Sequence, residues 1–80
     1  MAKKHIMLTF PRHLIKEPVV YKLSHEFKLV TNIRRADVSD NTGWVILELE
    51  GEPTEIDSGI NWARKTGVRV ESLDNGALEG

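Results

Sequence analysis

The run KLVTNIRRADVSDNTGWVILELEG, residues 28–51, constrains the fold more than any other part of the chain. Two stretches rich in β-branched and aromatic residues flank SDNTG (39–43), a cluster of turn-forming residues. In the second stretch Val45, Leu47 and Leu49 fall on one face, and Trp44, Ile46, Glu48 and Glu50 on the other. Period-2 runs joined by a short polar turn make an antiparallel hairpin. One of its faces is apolar and has to be covered by something else in the chain.

The flanking segments supply that cover. HIMLTF (5–10) alternates, with Ile6, Leu8 and Phe10 on one face and His5, Met7 and Thr9 on the other; Pro11 ends it. After a loop over 11–17, Pro18 suits a first helical turn, and Val19, Val20, Leu23 and Phe27 recur at helical spacing up to residue 27. A second helix occupies 52–67, opened by Pro53 and closed by Gly67, with Ile56, Gly59, Ile60 and Ala63 on one stripe and Trp62 at its border. VRVESL (68–73) is a last strand with Val68 and Val70 inward, and the patternless tail 74–80 should fray.

The order β-α-β-β-α-β defines an α+β, ferredoxin-like fold: a four-stranded antiparallel sheet with both helices on one face. Right-handed crossovers put the first and third strands in the middle and the second and fourth at the edges. The 80 residues form one domain, with 4–73 expected to be ordered. A chain this short buries only roughly 60% of its unfolded surface, so its core is thin. Gly59 on the inward stripe of a helix costs about 1 kcal/mol against alanine, and close approach of helix to sheet is the packing reason expected for it.

Composition removes several classes of function. The chain has no cysteine, which excludes disulfides and thiolate metal sites and fits a reducing compartment. Eleven basic against twelve acidic residues argue against nucleic acid, whose binding needs a concentrated positive field. The apolar run before Pro11 is too short for a signal peptide or a membrane span, so a cytoplasmic location is expected. The pairs Lys3–Lys4, Arg34–Arg35 and Arg64–Lys65 read as solvated faces.

Sites that this fold can carry fail one by one. FPRHL after the first strand lacks the soft ligands of a copper carrier. Arg12 stands roughly where a phosphate-binding arginine would, but no glycine lets the backbone close around an oxyanion. Trp44 alone among carboxylates is a poor platform for stacking RNA bases. His5, His13 and His25 sit on three different elements, without the convergence a metal needs. No nucleophile, base and oxyanion-hole set can be assembled, so no catalysis and no cofactor are expected. Met7, Trp44 and Ile46, by contrast, should form an apolar patch on the uncovered sheet face, and such patches mark interfaces.

Strand two carries a more specific signal. Asn32-Ile33-Arg34 after EFKLVT, the hairpin NTGWVILELEG and the end INWARKTGVRVESL together resemble the NIL domain family over about residues 4–73. The family takes its name from an Asn-Ile-Leu signature on this strand and is related in shape to ACT domains. Arg34 is the departure, standing where the family favours an apolar residue.

The resemblance implies a small regulatory module. The best understood relatives lie at the C-terminus of the ATPase of methionine-import ABC transporters, where the domain binds methionine and dimerises. Others are fused to ferredoxin-type cluster domains. Asn32 matches the residue implicated in methionine binding, and Ile33 and Arg34 complete the motif. An amide offers two donors and an acceptor, which suits an amino acid's carboxylate and ammonium. The expectation is a homodimer that senses a methionine-like compound. The alternative is a module that docks on a transporter, a ferredoxin-type protein or an enzyme of sulfur metabolism without a ligand of its own.

Overall fold

A computed structural model describes residues 1–14, 18–39 and 41–73. Strand β1 (Ala2–Phe10) is followed by a short 3-10 turn (Arg12–Leu14), helix α1 (Val19–Glu26), strand β2 (Val30–Val38), strand β3 (Gly43–Gly51), helix α2 (Pro53–Lys65) and strand β4 (Arg69–Ser72). The sheet order is β2-β3-β1-β4, all antiparallel, which is the ferredoxin-like arrangement with β1 and β3 central. The expected fraying of the tail and part of the 11–17 loop fall outside the described residues.

The core is one layer between sheet and helices. Ile6, Leu8 and Phe10 of β1, Leu47 and Leu49 of β3 and Val70 of β4 pack against Val19 and Leu23 of α1 and Ile56, Ile60 and Ala63 of α2. The alternation that marks these strands therefore points its apolar set at the helices. His5, Met7, Thr9, Trp44, Ile46, Glu48 and Glu50 lie on the opposite face and are half-buried by their neighbours alone.

Element ends differ from the sequence reading where pairing or backbone geometry takes over from periodicity. Strand β1 begins at Ala2, ahead of the alternating run, because β3 extends far enough for Gly51 to pair with Ala2. Strand β2 begins at Val30 and not Lys28, because Lys28 has φ 50, a left-handed conformation that no strand accommodates. Pro18 is the residue that caps α1, not part of its first turn, with φ −81 and ψ 57. In α2, Pro53 is the first helical residue, and Gly67 (φ 103) turns the chain beyond the end of the helix.

The close approach at Gly59 exists, but its partners differ from those expected. A Cβ there would lie 3.0 Å from Leu29 Cδ1 and 3.2 Å from Leu23 Cδ2. At Gly59 the nearest neighbours are thus α1 and the chain entering β2. Among the described residues, no helix is long and apolar enough to cross a membrane.

Candidate functional site

Strand β2 is an edge strand whose residues from Asn32 to Val38 are all exposed. Its pairing with β3 slips by one residue: Ile33 opposes Leu47, and the next pair is Arg35 with Ile46. Arg34 is the extra residue of a β-bulge. Cross-strand partners share a face, so the slip changes which side chains point where. Asn32 lies on the uncovered face, opposite Glu48. Beyond the bulge, Arg35 and Asp37 lie on that same face, opposite Ile46 and Trp44, while Ala36 and Val38 turn to the helix side. In an unbroken strand, Ala36 and Val38 would have pointed away from the helices.

The uncovered face is laid out in rows across the strands. One polar row runs from Asn32 through Glu48 to His5. The Asn32 side-chain amide donates to Glu48 Oε1 at 3.5 Å, and His5 Nε2 lies 3.2 Å from Glu48 Oε2. The Glu48 side chain is only 13% exposed although no helix covers it, so its neighbours must offset the loss of water around its charge. The Leu73 backbone N–H donates to the His5 carbonyl at 2.9 Å and so continues the row beyond β4.

The next row is apolar at its centre: Met7 pairs with Ile46, flanked by Glu71 of β4 and Arg35 of β2. In the third row Thr9 pairs with Trp44, between Arg69 and Asp37. Between the first two rows lies a shallow concavity of about 330 Å³, lined by Arg34, Ile46, His5 and Leu73, so that it reaches from one edge of the sheet to the other. Among the described residues, no three His, Asp or Glu side chains are grouped so as to hold a metal ion.

The residues singled out in the sequence thus divide by face. Asn32, Arg34, Met7, Trp44 and Ile46 share the uncovered side. Ile33 is on the helix side, opposite Leu47, and is 60% exposed beyond the edge of the helical layer. A ligand resting on the uncovered face meets Asn32 and Arg34 but not the Ile33 side chain. Sequence reasoning sets His5 aside as a metal ligand and gives neither it nor Glu48 a place in a ligand site. Alternation alone gives their face, but their meeting with Asn32 depends on the register of three strands. The bulge did leave a trace in the sequence: apolar residues on β2 step from Ile33 to Ala36 and then to Val38, a spacing of three and then two.

Comparison with known proteins agrees with this architecture. A family model described as the NIL domain matches residues 4–72. The crystal structure of the C-terminal domain of an ABC transporter ATP-binding protein from Enterococcus faecalis is similar in fold. Its TM-score is 0.77 at 24% identity, covering 90% of this chain and 84% of that one. The de novo designed protein Ferredog-Diesel has a TM-score of 0.50 at 16% identity, covering 89% and 83% of the respective chains. A search of curated proteins returns no match.

Proposed function

Because the chain belongs to the NIL domain family, we propose that it is a non-catalytic regulatory module of the cytoplasm that binds a small amino acid of the methionine class as a homodimer. The observation that carries this reading is the polar row Asn32–Glu48–His5 set beside Met7 and Ile46. An amino acid with an unbranched apolar side chain has three parts to be recognised. The Glu48 carboxylate answers the ammonium group. The Asn32 amide and the Arg34 guanidinium answer the carboxylate, since an amide and a cation both donate hydrogen bonds to it. Met7 and Ile46 offer the apolar tail a surface, and sulfur packs well against such soft groups.

The similar fold of the transporter ATPase domain supports a regulatory setting. It is consistent with a module that reports the level of a small compound to a larger machine. The competing reading, docking on a transporter or ferredoxin-type partner without a ligand, draws on the exposed apolar residues Ile33 and Val38 along β2.

Thermal unfolding with and without L-methionine, homocysteine and a panel of other amino acids separates the two. A ligand at 100 times its dissociation constant adds about 2.7 kcal/mol. In a domain of this size each kcal/mol moves the midpoint by roughly 4–8 °C. A rise with methionine-like compounds that vanishes in Asn32→Ala supports the sensor. No rise with any compound overturns it in favour of docking.

A further inference from the structure

We infer that two copies of this chain join edge to edge through β2, in the antiparallel register that places Arg35 of each copy opposite Asp37 of the other. The inference rests on the homodimer proposed above and specifies its surface. An edge strand presents a row of backbone N–H and C=O groups with no neighbouring strand, and β2 is such a strand, exposed from Asn32 to Val38.

The bulge and the charges on β2 decide where a second copy can pair. A two-fold axis perpendicular to the sheet keeps both helical layers on one side, so residues opposite one another must share a face. An axis passing between residues beyond the bulge sets uncovered-face side chains against helix-side ones and is excluded. An axis at or before Arg34 carries the pairing through the bulge. An axis at Arg35 sets that arginine against itself, one at Asp37 does the same for the aspartate, and one at Val38 runs the pairing into the turn. Only an axis at Ala36 sets opposite charges against each other, once on each side of the axis.

The residue at the axis suits that position. Directly opposed side chains in an antiparallel pair have Cβ atoms roughly 4.5–5.5 Å apart, and two alanines fit there without displacement. Ala36 is on the helix side, as is Val38, which is 66% exposed in the single chain. Tyr21 at 61% and Ile33 at 60% are similarly bare. Val38 also borders an apolar cleft of about 190 Å³ shared with Val20, Tyr21 and Val45. Charges on an edge strand ordinarily guard it against pairing. Here they alternate in sign, so they guard against most registers and favour one.

The test is sedimentation of the full chain and of R35D, D37R and the R35D/D37R double variant over a range of concentrations, with circular dichroism as the check on folding. Each single variant sets like charges opposite each other, and the double variant restores opposite ones. Opposite charges directly across a strand pair stabilise it and like charges destabilise it, and two such pairs are reversed at once. Each single variant should therefore weaken the dimer by roughly tenfold or more, and the double variant should recover it. An equimolar mixture of R35D and D37R should dimerise although neither does so well alone. A wild-type dimer that tolerates both single variants, or a double variant that fails to recover, overturns the register alone. A wild-type chain that stays monomeric at every concentration overturns the homodimer as well, leaving the ligand-binding reading to its own thermal assay.

Discussion

Leu29 occupies the space that a side chain on Gly51 would need. A Cβ on Gly51 would lie 2.8 Å from Leu29 Cδ2 and 3.3 Å from the Lys28 carbonyl oxygen. The end of β3 and the start of β2 thus meet with backbone against side chain, and Leu29 also bears on Gly59 of α2. One leucine holds together three elements by filling the gap that two glycines leave.

Gly51→Ala should therefore destabilise the domain by about 1–3 kcal/mol through overpacking. Leu29→Ala should cost about 2–5 kcal/mol by opening a cavity. In the double variant the added methyl group enters space that leucine has vacated, so the two losses should sum to less than their separate values. Urea denaturation of all four proteins measures this, and simple additivity would sink the packing account.

Gly59 is a graded case. Alanine there gains about 1 kcal/mol of helix propensity, which offsets much of the squeeze against Leu29 and Leu23. Valine gains less and needs more room, so Gly59→Val should lose about 1–3 kcal/mol. A valine variant with the urea midpoint of wild type would show that α2 does not approach this closely.

Lys28 lies just beyond α1 with φ 50, a conformation that costs a non-glycine residue roughly 1–2 kcal/mol. Lys28→Gly removes that strain at a position where helices commonly place glycine. Its midpoint should rise by several degrees, at roughly 4–8 °C per kcal/mol. A lowered midpoint in calorimetry would mean that the lysine side chain contributes more than its backbone costs.

The polar row should matter for binding and little for folding. Asn32 is exposed and its contact to Glu48 is long, at 3.5 Å, so Asn32→Ala should stay within about 0.5 kcal/mol of wild type. Glu48→Gln keeps the shape of the side chain and removes its charge. Hydrogen bonds to charged groups are worth about 1.5–3 kcal/mol, so affinity for a methionine-class amino acid should drop about tenfold or more. Titration calorimetry with L-methionine checks this; equal affinity would show that Glu48 does not receive the ammonium group.

The fold was legible because its signals are local. Alternation in HIMLTF and WVILELEG, the turn SDNTG, and Pro53 with Gly67 around α2 each specify an element from a few neighbouring residues. Their order then leaves one arrangement of the sheet. The candidate site is legible only in part. Asn32 and Arg34 could be picked out, but the Asn32–Glu48–His5 row is a product of register between strands far apart in sequence. The face of Arg35 and Asp37 depends on a one-residue slip that straight alternation does not contain. Leu29 shows the same limit in the core: nothing near it in sequence says that it rests on Gly51 and Gly59.

The bulge at Arg34 works as a frameshift within one short strand. Upstream of it the chain is written in a phase that delivers Asn32 to the carboxylate of β3. Downstream it is written in the other phase, which brings two charges of opposite sign onto that same side and hands Ala36 and Val38 to the helical layer. Taking Arg34 into regular pairing would send Arg35 and Asp37 to the opposite side of the sheet with no residue type changed, whereas deleting Arg34 would leave both on the side they now occupy. The side that each letter of this strand takes is therefore set by the slip at Arg34 as much as by the letters themselves.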